Sequence, residues 1–279
     1  MELTPRYDGT PPLRVEVPFD DPSVPLLRQR RRLADTVAGL EDAQWRVPSR
    51  CAEWSVQDVI AHLIGVNRFW ALSIRSALAG TPTRYLVGFD PVATPRALVE
   101  PMRSLTPTAV HLDFVASVDD LADALSGIDG SGWSQPAEAP PGHIALRALA
   151  LHALWDAWVH ERDIVLPLGL DTVQEDDEIE GSLIYAALLG PGVLASGGGG
   201  RSGTLLVDAR HPTIRFVVEA GETAVARPPT AGDAGASRLE GPAVELIDGI
   251  SARTQLHHHI GPADRWMVDG LAAVFDPTP

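Results

Sequence analysis

Leu146-Arg-Ala-Leu-Ala-Leu-His152-Ala-Leu-Trp155-Asp156-Ala-Trp158-Val-His160-Glu-Arg-Asp163-Ile-Val165 is the stretch that decides the fold. Leu146, Leu149, Leu151, Leu154, Trp155, Trp158 and Val159 fall on every side of a helix read over about 143–165. A helix that is apolar all round must be enclosed by other elements, so this one belongs in the middle of a bundle.

The chain before it supplies the other helices. Leu26, Leu27, Leu33, Val37 and Leu40 recur at helical spacing over about 25–41, with Pro25 suited to a first turn. Ser55-Val56-Gln57-Asp58 has the form of a capping box, and opens a helix through Val59, Ile60, Leu63, Val66, Phe69 and Leu72 to about Leu78. Residues 80–107 carry Pro82, Pro91, Pro95, Pro101 and Pro107 and read as a long connection with a short helix near 95–104. A helix over about 108–128 turns Val110, Phe114, Val118, Leu121 and Leu125 inward, and another over about 176–189 begins with acidic residues that suit its dipole.

After the Gly-rich hinge of Ser196–Gly200 the texture changes. Short β-type runs at 203–207, 213–219 and 223–226 are followed by helical patterns at about 242–252 and 262–275. The expected fold class is therefore α+β: an extended arm over 1–24, a four-helix bundle over 25–195, and a small α+β domain over 201–279.

Composition narrows the partners. The formal net charge of −15 repels phosphate backbones and anionic lipid surfaces, so neither nucleic acid nor membrane is an expected partner. The Arg28/Arg30/Arg31/Arg32 run reads as a solvated helix face balancing acidic neighbours. The sequence shows no spanning run of about 18 apolar residues and no secretory signal at Met1–Pro5. The single cysteine, Cys51, fits a reducing compartment, so a cytoplasmic location is expected. Standing before a helix N-cap, Cys51 reads as packing; His257, His258 and His259 read as loop or strand residues.

His152, Asp156 and His160 stand four apart and share one helix face. Polar groups on a buried helix are costly unless partnered, and a metal ion is one partner. His152 and His160 are separated by about 12 Å along the axis, so one ion can take Asp156 with only one of them. His62, inward-facing beside Val59, Leu63 and Val66, is the natural ligand from a second helix. Two imidazoles and a carboxylate leave one position open, as in catalytic zinc. Spacing alone leaves open that all are core polar residues satisfied by hydrogen bonds.

Cys51-Ala-Glu-Trp54-Ser55-Val-Gln-Asp58-Val-Ile-Ala-His62-Leu63 resembles the signature of the mycothiol-dependent maleylpyruvate isomerase family, a Cys-x-x-Trp-Ser/Thr-Val-x-Asp-Leu/Val-x-x-His-Leu stretch. Asp156-Ala-Trp-Val-His160-Glu-Arg-Asp163 resembles that family's second block, Glu-x-x-x-His-x-x-Asp. The resemblance covers nearly all of the chain beyond about residue 25. It implies a DinB-like bundle with a small C-terminal domain, and places His62, Asp156 and His160 on the family's metal ligands. Asp156 departs from the usual glutamate, which draws an ion about one methylene closer to the helix. Asp163 is expected to support a ligand rather than to be one. The segment Glu240–Arg253 resembles the helix that carries the family's substrate-binding arginine, which makes Arg253 the implied anchor for thiol or substrate.

The expected function is a metal-dependent enzyme, with Zn²⁺ the expected ion and mycothiol the co-substrate. It would transfer the thiol to a small electrophilic or thiol-conjugated metabolite, or use it to assist an isomerisation. Two other readings stay open: a non-catalytic thiol- or ligand-binding protein, and a metal-dependent hydrolase of a thiol conjugate.

Overall fold

The helix at the centre runs from Leu146 to Val165 (α5) and is enclosed as its composition requires: 18 of its 20 residues are buried. A computed structural model describes residues 4–197, 200–269 and 272. Ser23–Ala38 (α1), Val56–Leu78 (α2) and Pro107–Leu125 (α4) pack with α5 as a four-helix bundle, and Ala93–Val99 (α3) lies in the connection between α2 and α4. Asp176–Ser196 (α6) covers the far side of α5.

Local chemistry sets the helix ends. Ser55 accepts the Asp58 N–H, and the Asp58 carboxylate accepts the Ser55 N–H at 2.9 Å, closing the capping box of α2. Thr106 caps α4, whose first residue is Pro107. These caps contribute about 1 kcal/mol each. α5 has no side-chain cap; it issues from a hairpin of Pro136–Ala139 (β2) and Gly142–Ala145 (β3) that the sequence reading did not anticipate. Gly142 is required there, because with φ +125° its missing Cβ leaves room for the Arg6 backbone, which bridges to it. Gly181 likewise lets α6 close on α5, since a Cβ would come within 2.7 Å of Leu154.

The second half of the chain forms a mixed five-stranded sheet. Leu13–Val15 (β1) comes from the N-terminal arm. The others are Gly203–Arg210 (β4), Ile214–Ala220 (β5), Ala224–Arg227 (β6) and Ser237–Pro242 (β7), in the order β1-β6-β5-β4-β7. The outer pairs β1–β6 and β4–β7 are parallel and the inner pairs antiparallel. Leu205, Val207, Ala209, Phe216, Val218 and Leu239 alternate onto the buried face and join the cluster that holds Ile179, Leu183 and Leu188 of α6.

Ala243–Ile250 (α7) follows β7 directly and packs on α6. The short Trp266–Asp269 (α8) occupies part of the span expected as a helix over 262–275; residues 262–265 form turns instead, and 270, 271 and 273–275 lie outside the described residues, as do Gly198 and Gly199 of the expected hinge. α6 extends past the expected 189 to 196, through Pro191. By length and composition it could cross a bilayer, which the expectation of no spanning run did not foresee; 83% of its apolar window is buried in the protein.

Candidate metal centre

α2 and α5 deliver the expected polar residues to one place. His62, Asp156 and His160 offer ligand atoms that all lie within 4.8 Å of one another. Asp156 Oδ1 is 3.6 Å from His62 Nε2 and 3.5 Å from His160 Nε2. Both separations are long for a strong hydrogen bond. They are the edge lengths of a tetrahedron around one ion, roughly 3.3–3.6 Å for metal–ligand bonds of about 2.0–2.2 Å. The two imidazoles meet edge to face with ring centroids 4.9 Å apart. This donor set therefore fits one divalent cation, with a fourth position left to a small molecule.

The remaining lone pairs are managed from behind. Asp156 Oδ2 accepts from Arg30 Nη2 at 3.2 Å, which turns Oδ1 toward the histidines. Asp163 Oδ2 lies 2.9 Å from His160 Nδ1, so that nitrogen keeps a proton and Nε2 is the one turned toward Asp156. Asp163, fully buried, also receives Arg253 Nε at 2.9 Å and Arg253 Nη2 at 3.0 Å. Asp248 of α7 takes Arg50 at 3.1 Å and Arg162 at 2.9 Å, so the α7 end of the C-terminal half is tied to the bundle beside the site.

Charge follows the same layout. Burial pushes the Asp156 carboxyl up, but His160, His62 and Arg30 outweigh it and hold it below the usual carboxylate range. Burial lowers His62 and keeps it neutral. Burial also disfavours charge on His160, yet Asp156, Cys51 and Asp163 raise it to about 10. Burial acts against Asp163 ionisation as well, and Arg253 with His160 reverses that.

One expectation is corrected here and another is extended. The arginine run is not one solvated face: Arg30 is fully buried against Asp156, and Arg32 is mostly buried between Glu161 and Glu178. Arg30 repeats with Leu26, Leu33 and Val37 at helical spacing, and that was the signal for it. Cys51 does more than pack: its thiol is 3.1 Å from Asp163 Oδ2, 3.6 Å from Arg253 Nη2 and 3.7 Å from His160 Nδ1. Cys51, His160 and Asp163 thus make a second group of potential ligands that shares His160. Arg253, the expected anchor, is brought to the site but spends Nε and Nη2 on Asp163 and Nη1 on the Ser251 carbonyl. His152 lies one turn away and turns to Tyr185, while His257, His258 and His259 lie in the loop after α7 and join neither ligand group.

Fold and site together define a helical-bundle protein with a His/Asp/His cluster whose geometry could hold one cation. Residues 26–165, half of the chain, match the family model described as the mycothiol maleylpyruvate isomerase N-terminal domain. The chain belongs to that family, and with it to a family of enzymes. No curated protein matches it. Two solved structures are similar over 94% of this chain and 96% of theirs, both with a TM-score of 0.60. One is the crystal structure of the mycothiol-dependent maleylpyruvate isomerase, 15% identical, and the other that of a histidine-to-alanine mutant of it, 14% identical. At that identity the likeness establishes the shared fold, the C-terminal sheet included.

Proposed function

We propose that this protein is a zinc-dependent enzyme that uses mycothiol to act on a small electrophilic metabolite, as a thiol S-transferase or a thiol-assisted isomerase. The observation that carries the reading is the convergence of His62 Nε2, His160 Nε2 and Asp156 Oδ1 at 3.5–3.6 Å. Membership of the family supports mycothiol as the thiol. Zn²⁺ in such a set, with one position open, would bind a thiol and deprotonate it outright.

The chain's own residues prepare that chemistry. Asp163 fixes the His160 tautomer, and Arg30 holds Asp156 to a single ligating oxygen. Trp54 packs on the His62 ring at 5.3 Å and limits its rotation. Arg253 positions Asp163 and is partly exposed, and the Nη1 hydrogen not given to the Ser251 carbonyl can meet a carboxylate of thiol or substrate. Cys51, the single cysteine, is a free thiol beside these groups, which supports a reducing compartment such as the cytoplasm.

The test is metal content per chain on untagged protein purified without chelator, beside His62→Ala and His160→Ala, followed by thiol-transfer assays. About one zinc per chain, lost in both variants, together with product formation that requires added thiol, supports the proposal. Absence of zinc after reconstitution leaves a ligand-binding protein, and product release from a conjugate without added thiol makes it a hydrolase.

A further inference from the structure

The N-terminal arm and the connection after α2 meet on the β2–β3 hairpin, which lies at the other end of α5 from His160. Arg6 N–H donates to the Pro141 carbonyl and His143 N–H to the Arg6 carbonyl, both at 3.0 Å. The arm then runs on into β1, so residues 6–15 strap the hairpin to the C-terminal sheet. From the connection, Leu86 N–H donates to Glu138 Oε1 at 2.7 Å, and the Tyr7 hydroxyl reaches the same oxygen at 2.6 Å. Burial and the Glu138 carboxyl raise the Tyr7 phenol, which keeps its proton and is the donor in that bond.

One side chain, that of His143, holds both segments. Its Nδ1 is 3.1 Å from the Tyr7 carbonyl oxygen, and its Nε2 is 2.8 Å from the Thr83 carbonyl oxygen. A carbonyl oxygen only accepts, and a neutral imidazole has a single N–H, so only the imidazolium can donate to both. The neighbouring charges favour the same form. Glu138 pairs directly across the hairpin from His143, on the same face, and is fully buried. From the arm comes Asp8 and from the connection Arg84, which pair with each other beside the Tyr7 ring; Arg6 turns its guanidinium to the Glu222 carbonyl. Arg84 chiefly, with a smaller part from His143, holds the Asp8 carboxyl below its usual range. β3 itself carries no other titratable side chain. Two carboxylates against one guanidinium leave a negative excess, which an imidazolium cancels.

We propose that His143 is a proton-operated latch, which as an imidazolium fastens the N-terminal arm and the α2–α3 connection to the hairpin and on losing a proton lets one of them go. With one N–H left, one of the two carbonyls faces a nitrogen lone pair, and that contact becomes repulsive. Because closure needs the proton, linkage fixes the sign: the closed latch is favoured at acid pH, and release follows as pH rises. The connection has little else to hold it, since residues 81–86 have no regular secondary structure and Tyr85 and Val87 are 69% and 70% exposed. Release loosens the strap between hairpin and sheet and leaves the enclosed α5 in place. The device draws on no metal ligand and is independent of the proposed function.

The experiment is amide hydrogen exchange of the full chain followed by NMR, at about pH 6 and about pH 8.5, on wild type, His143→Gln and His143→Arg. Protection at the Arg6, Leu86 and His143 or substituted amides, corrected for intrinsic rates, is read against α5 amides of the same sample. Glutamine is neutral at both pH values, whereas arginine keeps a charged fork of donors. In wild type, protection at the three amides should fall about tenfold or more from the lower to the higher pH, with α5 unchanged. It should be low at both in His143→Gln and high at both in His143→Arg. Equal wild-type protection at the two pH values overturns the latch, as does the same fall in His143→Gln. Should a variant fail to fold, long-range proton–nitrogen NMR of the wild-type imidazole decides. His143 must carry a proton on both nitrogens when the latch is closed and lose one over the pH range in which the amides lose protection; any other order overturns the proposal.

Discussion

Asp163→Asn is the sharpest perturbation of this site, because it keeps the shape of a buried side chain and removes only its charge. Asp163 is fully buried and accepts from Arg253 at 2.9 and 3.0 Å and from His160 Nδ1 at 2.9 Å. An asparagine has one acceptor oxygen, so it can serve Arg253 or His160 but must turn an N–H toward the other. Two charge-assisted bonds at about 1.5–3 kcal/mol each are weakened or lost. That sum agrees with the about 3–5 kcal/mol expected when one partner of a buried ion pair is removed. The loss should appear as a lower urea midpoint at unchanged slope, followed by fluorescence of the seven tryptophans. Zinc affinity, measured against a competing chelator, should fall about 10- to 100-fold because His160 loses its orienting carboxylate. Arg253→Gln should cost less, since that guanidinium keeps 14% exposure. The double variant should be milder than the two single losses added, with a coupling of about 2 kcal/mol or more. An Asp163→Asn protein within about 0.5 kcal/mol of wild type, or strictly additive variants, would refute the clamp.

Two further outcomes follow from the charges. His160 is raised to about 10, and its Nε2 must be unprotonated to ligate, so zinc displaces about one proton below that pH. Apparent affinity should therefore rise roughly tenfold per pH unit between pH 6.5 and 8.5, and calorimetry in buffers of different ionisation heat should count the proton; a flat profile contradicts the assignment. In zinc-free protein the same raised value makes the His160 pairing contribute stability fully below its ordinary pKa of 6.5, with loss as pH rises through about 10. Arg30→Met strips Asp156 of its buried cation and should cost about 3 kcal/mol without zinc. Bound zinc then supplies the missing positive charge, so the thermal shift on adding zinc should be larger in Arg30→Met than in wild type. Equal shifts would show that Arg30 does not compensate Asp156.

How much of this was readable depends on whether the signal was local. The enclosed position of α5 follows from its all-round apolar surface, and the start of α2 from the Ser55/Asp58 box, both of which lie within one stretch of chain. Convergence of His62 on Asp156 followed from two helix faces, with the family resemblance to pair them. What escaped is non-local. β1 is three residues that become a strand only by pairing with β6, more than two hundred residues away. β7 alternates through Gly241 and Pro242, residues that argue against a strand until β4 supplies the ladder. Four arginines within five positions suggest solvent, yet helical geometry divides them between faces and sends Arg30 inward. The polar side of Cys51 escaped for the same reason, because the groups that give its thiol a setting come from α5 and from the loop after α7.

His160 joins these layers, since its two ring nitrogens answer to different parts of the chain. Nε2 faces Asp156 and His62, the work of α2 and α5, while Nδ1 faces Asp163, whose other oxygen belongs to Arg253 beyond α7. A C-terminal half that withdraws Arg253 leaves Asp163 buried with less cationic support, and so weakens its hold on the His160 tautomer that ligation needs. Arg50 and Arg162 fix Asp248 alongside, so the docking of α7 and the readiness of the metal site share one ion-pair network. Linkage then requires reciprocity: whatever stabilises the ligating form of His160 also tightens the junction between bundle and sheet, to the same free energy. The C-terminal half thus supports the proposed centre without contributing a ligand, which gives a physical reason for the bundle to carry it.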